Sequence, residues 1–180
     1  MKIFKQIALA AIVTVSVAGA ALYTSCSKDN CKSVTCLNGG SCGGGQCSCP
    51  TGIGGSECQT VYRLLYSNTY TGNGSDDTGK IYGNYRMIFS APLDSMYDNM
   101  NLSITDSSGH TYNMFKITLS NNTASGSNFT ITPFQGTAPD TATYTGTGSV
   151  SATTASLNLT KKYGDSTYHY VSFNNFNKTN

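Results

Sequence analysis

"TYNMFKITLSNNTASGSNFTITPF", residues 111–134, sets two runs of alternating apolar and polar residues around a turn-forming centre. In the first run Phe115, Ile117 and Leu119 fall at every second position, and in the second Phe129 and Ile131 do the same. A period of two marks a strand with one buried face, because successive side chains of a strand point to opposite sides. The intervening "SNNTASGS" (120–127) is built from residues that enter turns at little cost. The stretch therefore predicts a β-hairpin.

The pattern extends in both directions. "VYRLLYSNTY" (61–70), "KIYGNYRMIFS" (80–90), "MNLSITD" (100–106), "ATYTGTGSV" (142–150), "ASLNLTKKY" (155–163) and "TYHYVSFN" (167–174) bring the expected strands to about eight. Ile104, Leu157, Leu159, Val171 and Phe173 join the first five residues on the apolar faces. "TGNGSDDTG" (71–79), "DSSGH" (106–110) and "KKYGDS" (161–166) read as turns. No stretch from Thr60 onward keeps helical periodicity over three turns. Short loops between all neighbours predict an all-β domain over 60–180, an antiparallel meander closed as a barrel or folded as a sandwich, the barrel preferred.

Composition narrows the functions open to such a domain. Charged residues make up 11% of the 180, against roughly 25% in an average globular protein. Lys+Arg number 11 and Asp+Glu 9, and removing Lys2 and Lys5 with the leader described next leaves 9 of each. A molecule of zero net charge has no electrostatic grip on nucleic acid or anionic lipid.

The first 25 residues carry basic Lys2 and Lys5, then the apolar run "IALAAIVTVSVAGAAL" from Ile7 to Leu22. That is the layout of an export signal, and it is short and diluted by Thr14, Ser16 and Gly19 for a spanning helix of roughly 20 residues. Tyr23-Thr24-Ser25-Cys26 resembles a bacterial lipobox, with Tyr23 where leucine is usual, as in the looser lipoboxes of Bacteroidota. The resemblance implies a signal peptide over 1–25, lipid on Cys26, and a short tether over 26–30. It also explains why the chain has an odd number of cysteines, seven. Several acyl chains hold a membrane far better than one. Ser27 in the second position implies passage to the outer membrane. Lys28-Asp29 resembles part of a surface-export signal, or is a plain solvated linker.

The other six cysteines stand at 31, 36, 42, 47, 49 and 58. In so short an exported segment they form a disulfide framework, because the segment cannot bury enough apolar surface to fold unaided. Six cysteines allow 15 connectivities, and spacing alone does not choose. "CLNGGSC" (36–42) and "CSCPTGIGGSEC" (47–58) resemble an EGF-like module. That resemblance implies Cys31 with Cys42, Cys36 with Cys47 and Cys49 with Cys58, with turns at Gly39, Gly40, Gly52 and Gly55. Calcium is not expected: Asp29-Asn30 and the loop "GGGQ" (43–46) fall short of the six or more oxygens it needs. Zinc is not expected in an exported, oxidised module, and no cofactor is expected. Taken whole, the chain resembles uncharacterised lipoproteins of Bacteroidota whose second domain is likened to lipocalin-type barrels.

Catalytic constellations are scarce. His110 and His169 are the two histidines, each beside a strand pattern rich in Tyr and Thr. Asp106, Ser107, Ser108 and His110 imitate a triad but read as a single hairpin turn, and Asp76-Asp77 also falls in a turn. "TGTGS" (145–149) reads as a strand of small residues, since no helix follows to face a phosphate. No enzyme activity is expected. Asp-Ser/Thr-x matches mark Ser95, Thr141 and Ser166 as candidates for O-glycosylation of the Bacteroidota kind. The expected function is a non-enzymatic outer-membrane or surface module binding a glycan or protein, with some of the 12 tyrosines as contact faces. The alternatives are a barrel carrying a small apolar ligand, or an accessory subunit of an outer-membrane complex.

Overall fold

Eight antiparallel strands close into a barrel in the computed structural model, which describes residues 30–93, 97–109, 111–136, 141–164 and 167–179. They are β5 (Thr69–Asp76), β6 (Ile81–Ser90), β7 (Asn99–Thr105), β8 (Thr111–Thr123), β9 (Gly126–Gln135), β10 (Thr143–Val150), β11 (Thr154–Tyr163) and β12 (Thr167–Lys178). Each pairs with the next in sequence, and β12 pairs back onto β5. Ahead of the barrel, β1 (Ser41–Gly43) pairs with β2 (Gln46–Ser48), and β3 (Ile53–Gly54) pairs with β4 (Thr60–Val61). The disulfides of this segment join Cys31 to Cys42, Cys36 to Cys47 and Cys49 to Cys58. Cys42 and Cys47 stand opposite each other in the β1–β2 ladder, so two of the bridges leave from one rung.

The alternation read from sequence is the alternation of burial. Phe115, Ile117 and Leu119 of β8, Phe129 and Ile131 of β9, and Leu157 and Leu159 of β11 all belong to one interior cluster. The outward positions are polar: Thr118, Thr130, Thr147, Asn158 and Ser172 are cross-strand partners across five neighbouring strands. Apolar inside and polar outside is the reverse of a membrane-spanning barrel. Among the described residues no helix is long and apolar enough to cross a membrane.

Two expectations change. Residues 61–70 do not form a strand: after β4 the chain makes a single helical turn and a half, α1 (Tyr62–Tyr66), and β5 begins only at Thr69. The helix buries Arg63 and Tyr66 and exposes Leu64 and Leu65, so the apolar pair that suggested a strand faces solvent. The second change concerns 71–79, where the glycines suggested a turn but six of the residues belong to β5. Gly72 and Gly74 occupy interior positions whose space is taken by aromatic rings of β12. A Cβ at Gly72 would stand 2.5 Å from the Phe176 ring, and one at Gly74 would stand 2.8 Å from Phe173. On β10, Gly146 and Gly148 play the same part against Ile131 and the Phe129 ring. Glycine in a strand marks close approach as well as punctuation.

One end of the barrel is sealed by α1 and the disulfide segment. The Tyr66 hydroxyl donates to the Thr123 carbonyl, and the Tyr70 hydroxyl donates to that of Ser151 at 2.6 Å. Arg63, only 7% exposed, donates from Nη1 to the Asn99 carbonyl at 3.3 Å and lies 5.7 Å from the centre of the Tyr97 ring. The disulfide segment docks beside it: the Tyr62 N–H donates to the Gly52 carbonyl at 2.9 Å. Gly52 has φ +80°, and a Cβ there would meet Asn122 Nδ2 at 3.0 Å and Tyr97 Cβ at 3.2 Å. Only glycine combines that backbone conformation with that proximity.

Gly72→Ala is expected to lower stability by about 1–3 kcal/mol through overpacking against Phe176. Gly83→Ala, whose Cβ would meet only Asn73 Oδ1 at 3.6 Å, is the matched control and should melt close to wild type. Equal melting of all three proteins would contradict the packing described for the interior. A second expectation concerns alkali. Burial pushes the Tyr70 phenol from its ordinary 10.0 up to about 12, and it raises Tyr66 as well. The unfolded phenol ionises first, so this stabilisation is complete below about pH 10 and is lost as pH rises toward about 12. Urea titrations across that range should show a fall of roughly 2–3 kcal/mol from Tyr70, with a shallower fall in Tyr70→Phe.

Candidate functional site

The end of the barrel away from α1 holds a cavity of about 160 Å³. β6, β7, β8, β10, β11 and β12 each contribute to its wall, because their inward positions near this end are not filled by residues reaching across. Ile104, Phe115, Leu159, Val171 and Phe173 make it apolar, and Tyr85 and Tyr144 add two further rings. The rings meet edge-on or tilted: Tyr85 with Phe173 at 5.3 Å between centroids, and Phe115 with Tyr144 at 5.6 Å. Such pairs fix ring positions beyond what area burial alone would do.

One charged side chain also lines the cavity, Lys161. It follows Leu157 and Leu159 at the same spacing on β11 and therefore falls on the inward face, directly opposite Tyr144 on β10 and His169 on β12. Its Nζ lies 5.3 Å from the Tyr144 ring centre and 4.7 Å from that of Tyr163, within cation–π range of both. No acidic side chain lines the cavity among the described residues. Larger hollows of about 340 and 360 Å³ lie on the outer wall, lined mostly by Ser, Thr and Asn. They are open depressions between outward side chains, whereas the smaller cavity is walled by the barrel itself.

The acidic and histidine residues singled out from sequence are engaged elsewhere. Asp76 Oδ1 accepts from the Thr78 hydroxyl at 2.6 Å and from the Thr78 and Lys80 N–H groups at 3.0 Å each, and Oδ2 accepts from the Tyr82 hydroxyl at 2.9 Å. Led by the Thr78 hydroxyl, these donors hold the carboxyl down at about 2, while Tyr82 is raised by donating to it. Asp106 Oδ1 accepts from the N–H of Ser108 at 2.9 Å and from its hydroxyl at 2.6 Å, a turn-forming arrangement with Gly109 closing the loop. His169 is exposed, 4.0 Å from Asp77 and edge-on to Tyr163. Among the described residues no three His, Cys, Asp or Glu side chains converge on a metal site. Thr141 is exposed one residue ahead of buried Ala142. Cys26, Ser95, His110 and Ser166 lie outside the described residues.

Sequence reasoning passed over Tyr85, Tyr144 and Lys161. The signal for Lys161 was present, since "SLNLTKK" (156–162) carries it in step with two buried leucines. No protein-family model matches the chain, and neither a curated protein nor a solved structure does.

Ile104→Ala should enlarge the cavity and cost about 2–4 kcal/mol by chemical denaturation. A cost near zero would mean that the wall collapses around the deletion and that the cavity is not held open by its neighbours.

Proposed function

We propose that this protein is a non-enzymatic binding module tethered to a bacterial membrane, with its ligand site at the far end of the barrel. The observation that carries the reading is the division of the barrel into two unlike ends. One is sealed by α1 and the disulfide segment, with hydrogen bonds from Tyr66 and Tyr70 and the buried Arg63. The other holds an apolar cavity with Lys161 as the one cation in its wall among the described residues. A lipid on Cys26 would hold the sealed end toward the bilayer, only four residues separating it from Cys31. The EGF-like segment is then a stiff spacer and the cavity faces away from the lipid.

Of the ligand classes open to such a module, a small molecule entering the cavity is favoured over a glycan or protein on the outer wall. A cavity of about 160 Å³ is too small for a large cargo, yet one of about 150 Å³ with apolar walls accepts a benzene-sized guest. The apolar handles on the outer wall are scattered, Met114 and Tyr170 being markedly exposed ones at 65% and 55%, while Tyr163, at 40%, stands in step with Lys161 at the rim of the cavity. Tyr163 also stands near Lys161, so a larger partner touching it would sit at the same end. An enzyme is disfavoured because the carboxylates of Asp76 and Asp106 are consumed by their own turns.

Labelling with a radioactive fatty acid in a bacterial lipoprotein-export host should mark the wild-type chain and leave Cys26→Ser unmarked and released from the membrane fraction. Protease added to intact and to lysed cells then tells on which side of the envelope the barrel stands. A Cys26→Ser protein that stays lipid-labelled and membrane-bound would end the tether reading.

A further inference from the structure

We propose that the sealed end of the barrel rests on the membrane surface itself, with Leu64 and Leu65 of α1 and Leu93 of the β6–β7 connection set among the lipid headgroups. The inference rests on the reading of Cys26 as a lipid tether and adds a non-covalent contact to it.

Three observations converge on a lipid surface. The described leucines fall into two groups: Leu102, Leu119, Leu157 and Leu159 lie in the interior cluster, while Leu37, Leu64, Leu65 and Leu93 are exposed. All four exposed ones stand on adjoining elements. Leu64 and Leu65 are on α1, and Leu93 is in the connection that α1 packs against, since Arg63 reaches the Tyr97 ring and the Asn99 carbonyl. Leu37 belongs to the disulfide segment docked beside them through Gly52 and Tyr62. A lone exposed leucine is ordinary, whereas a group gathered at one end marks a surface that meets something apolar.

The charges are divided in the opposite sense. The hairpin turns at the sealed end, Ala124-Ser125 and Ser151-Ala152-Thr153, carry no ionisable side chain. At the other end, the β5–β6 and β7–β8 connections carry Asp76, Asp77, Lys80 and Asp106. A bilayer interface accepts the first kind of end at little desolvation cost and penalises the second. Arg63 is buried, and Lys178, at the close of β12, has a stem long enough to keep its ammonium in water.

Reach decides which apolar partner this is. Asn30 follows Cys26 by four residues, and at no more than about 3.6 Å per residue a lipid on Cys26 keeps the disulfide segment within roughly 15 Å of the bilayer. A surface held that close is met without the entropy lost in capturing a free partner.

The chain has no tryptophan, so Leu64→Trp, Leu93→Trp and Ile81→Trp variants of the lipidated full chain each carry one indole reporter. Each is reconstituted on phosphatidylcholine vesicles, floated to establish attachment, and its fluorescence compared between ordinary and acyl-brominated phosphatidylcholine. Leu64→Trp and Leu93→Trp should emit at shorter wavelength and be quenched by bromine. Ile81→Trp, exposed at the distal end, should be indifferent to it. Protein that floats with neither leucine position quenched, or with Ile81→Trp quenched as strongly, would overturn the contact and leave the tether standing. Protein that does not float would bring down tether and contact together.

Discussion

The pairing of β12 with β5 is the constraint on which the rest of this molecule depends. Without it the sheet would be an open meander with two unpaired edges and an apolar face to cover. The seam closes because Gly72 and Gly74 leave room on β5 for the rings of Phe176 and Phe173 on β12. Those rings then meet each other at 5.8 Å, and Phe173 meets Tyr85 at 5.3 Å, so the seam is continuous with the aromatic wall of the cavity. Two missing side chains thus set both the closure of the fold and one side of its candidate site.

Much of this architecture is legible in the sequence where a single physical rule governs. Burial of one face imposes a period of two, and Ile117, Leu119, Phe129 and Ile131 obey it without exception. The choice between barrel and sandwich is different in kind, because it turns on whether the first and last strands of the domain meet, and alternation within a strand carries no record of its distant partner. α1 escaped notice for a related reason. Five residues are too few for helical periodicity to emerge, and Tyr66 is buried against the barrel end by contacts with Thr123 that lie far along the chain. The glycines of 71–79 misled because the same residue serves turns and crowded strands, and only the Phe rings opposite decide which. The disulfide partners came from the likeness of the cysteine pattern to a known module, not from spacing.

The two ends of the barrel divide the work between rigidity and access. At the sealed end, a buried arginine and two tyrosine hydroxyls fix α1 and the start of β5 against neighbouring strands, and the left-handed glycine at 52 brings the disulfide segment up beside them. A segment too small to keep a core of its own gains one by leaning on Tyr97 and Asn122. At the other end the interior side chains stop short of filling the space, and the position that alternation would give to an apolar residue is occupied by Lys161. The departure from a fully apolar interior occurs where the cavity leaves the long side chain room.

The outer wall of β9 and β10 presents Asn128, Thr130, Thr132, Thr143, Thr145, Thr147 and Ser149, and none of these can ionise. Such a wall is wetted by hydroxyl and amide groups alone. Whatever approaches this wall meets a hydration layer, with little charge repulsion or ionic attraction from the wall itself. A contact made through it would respond weakly to salt and acidity, and would be governed instead by how tightly water clings to threonine and asparagine.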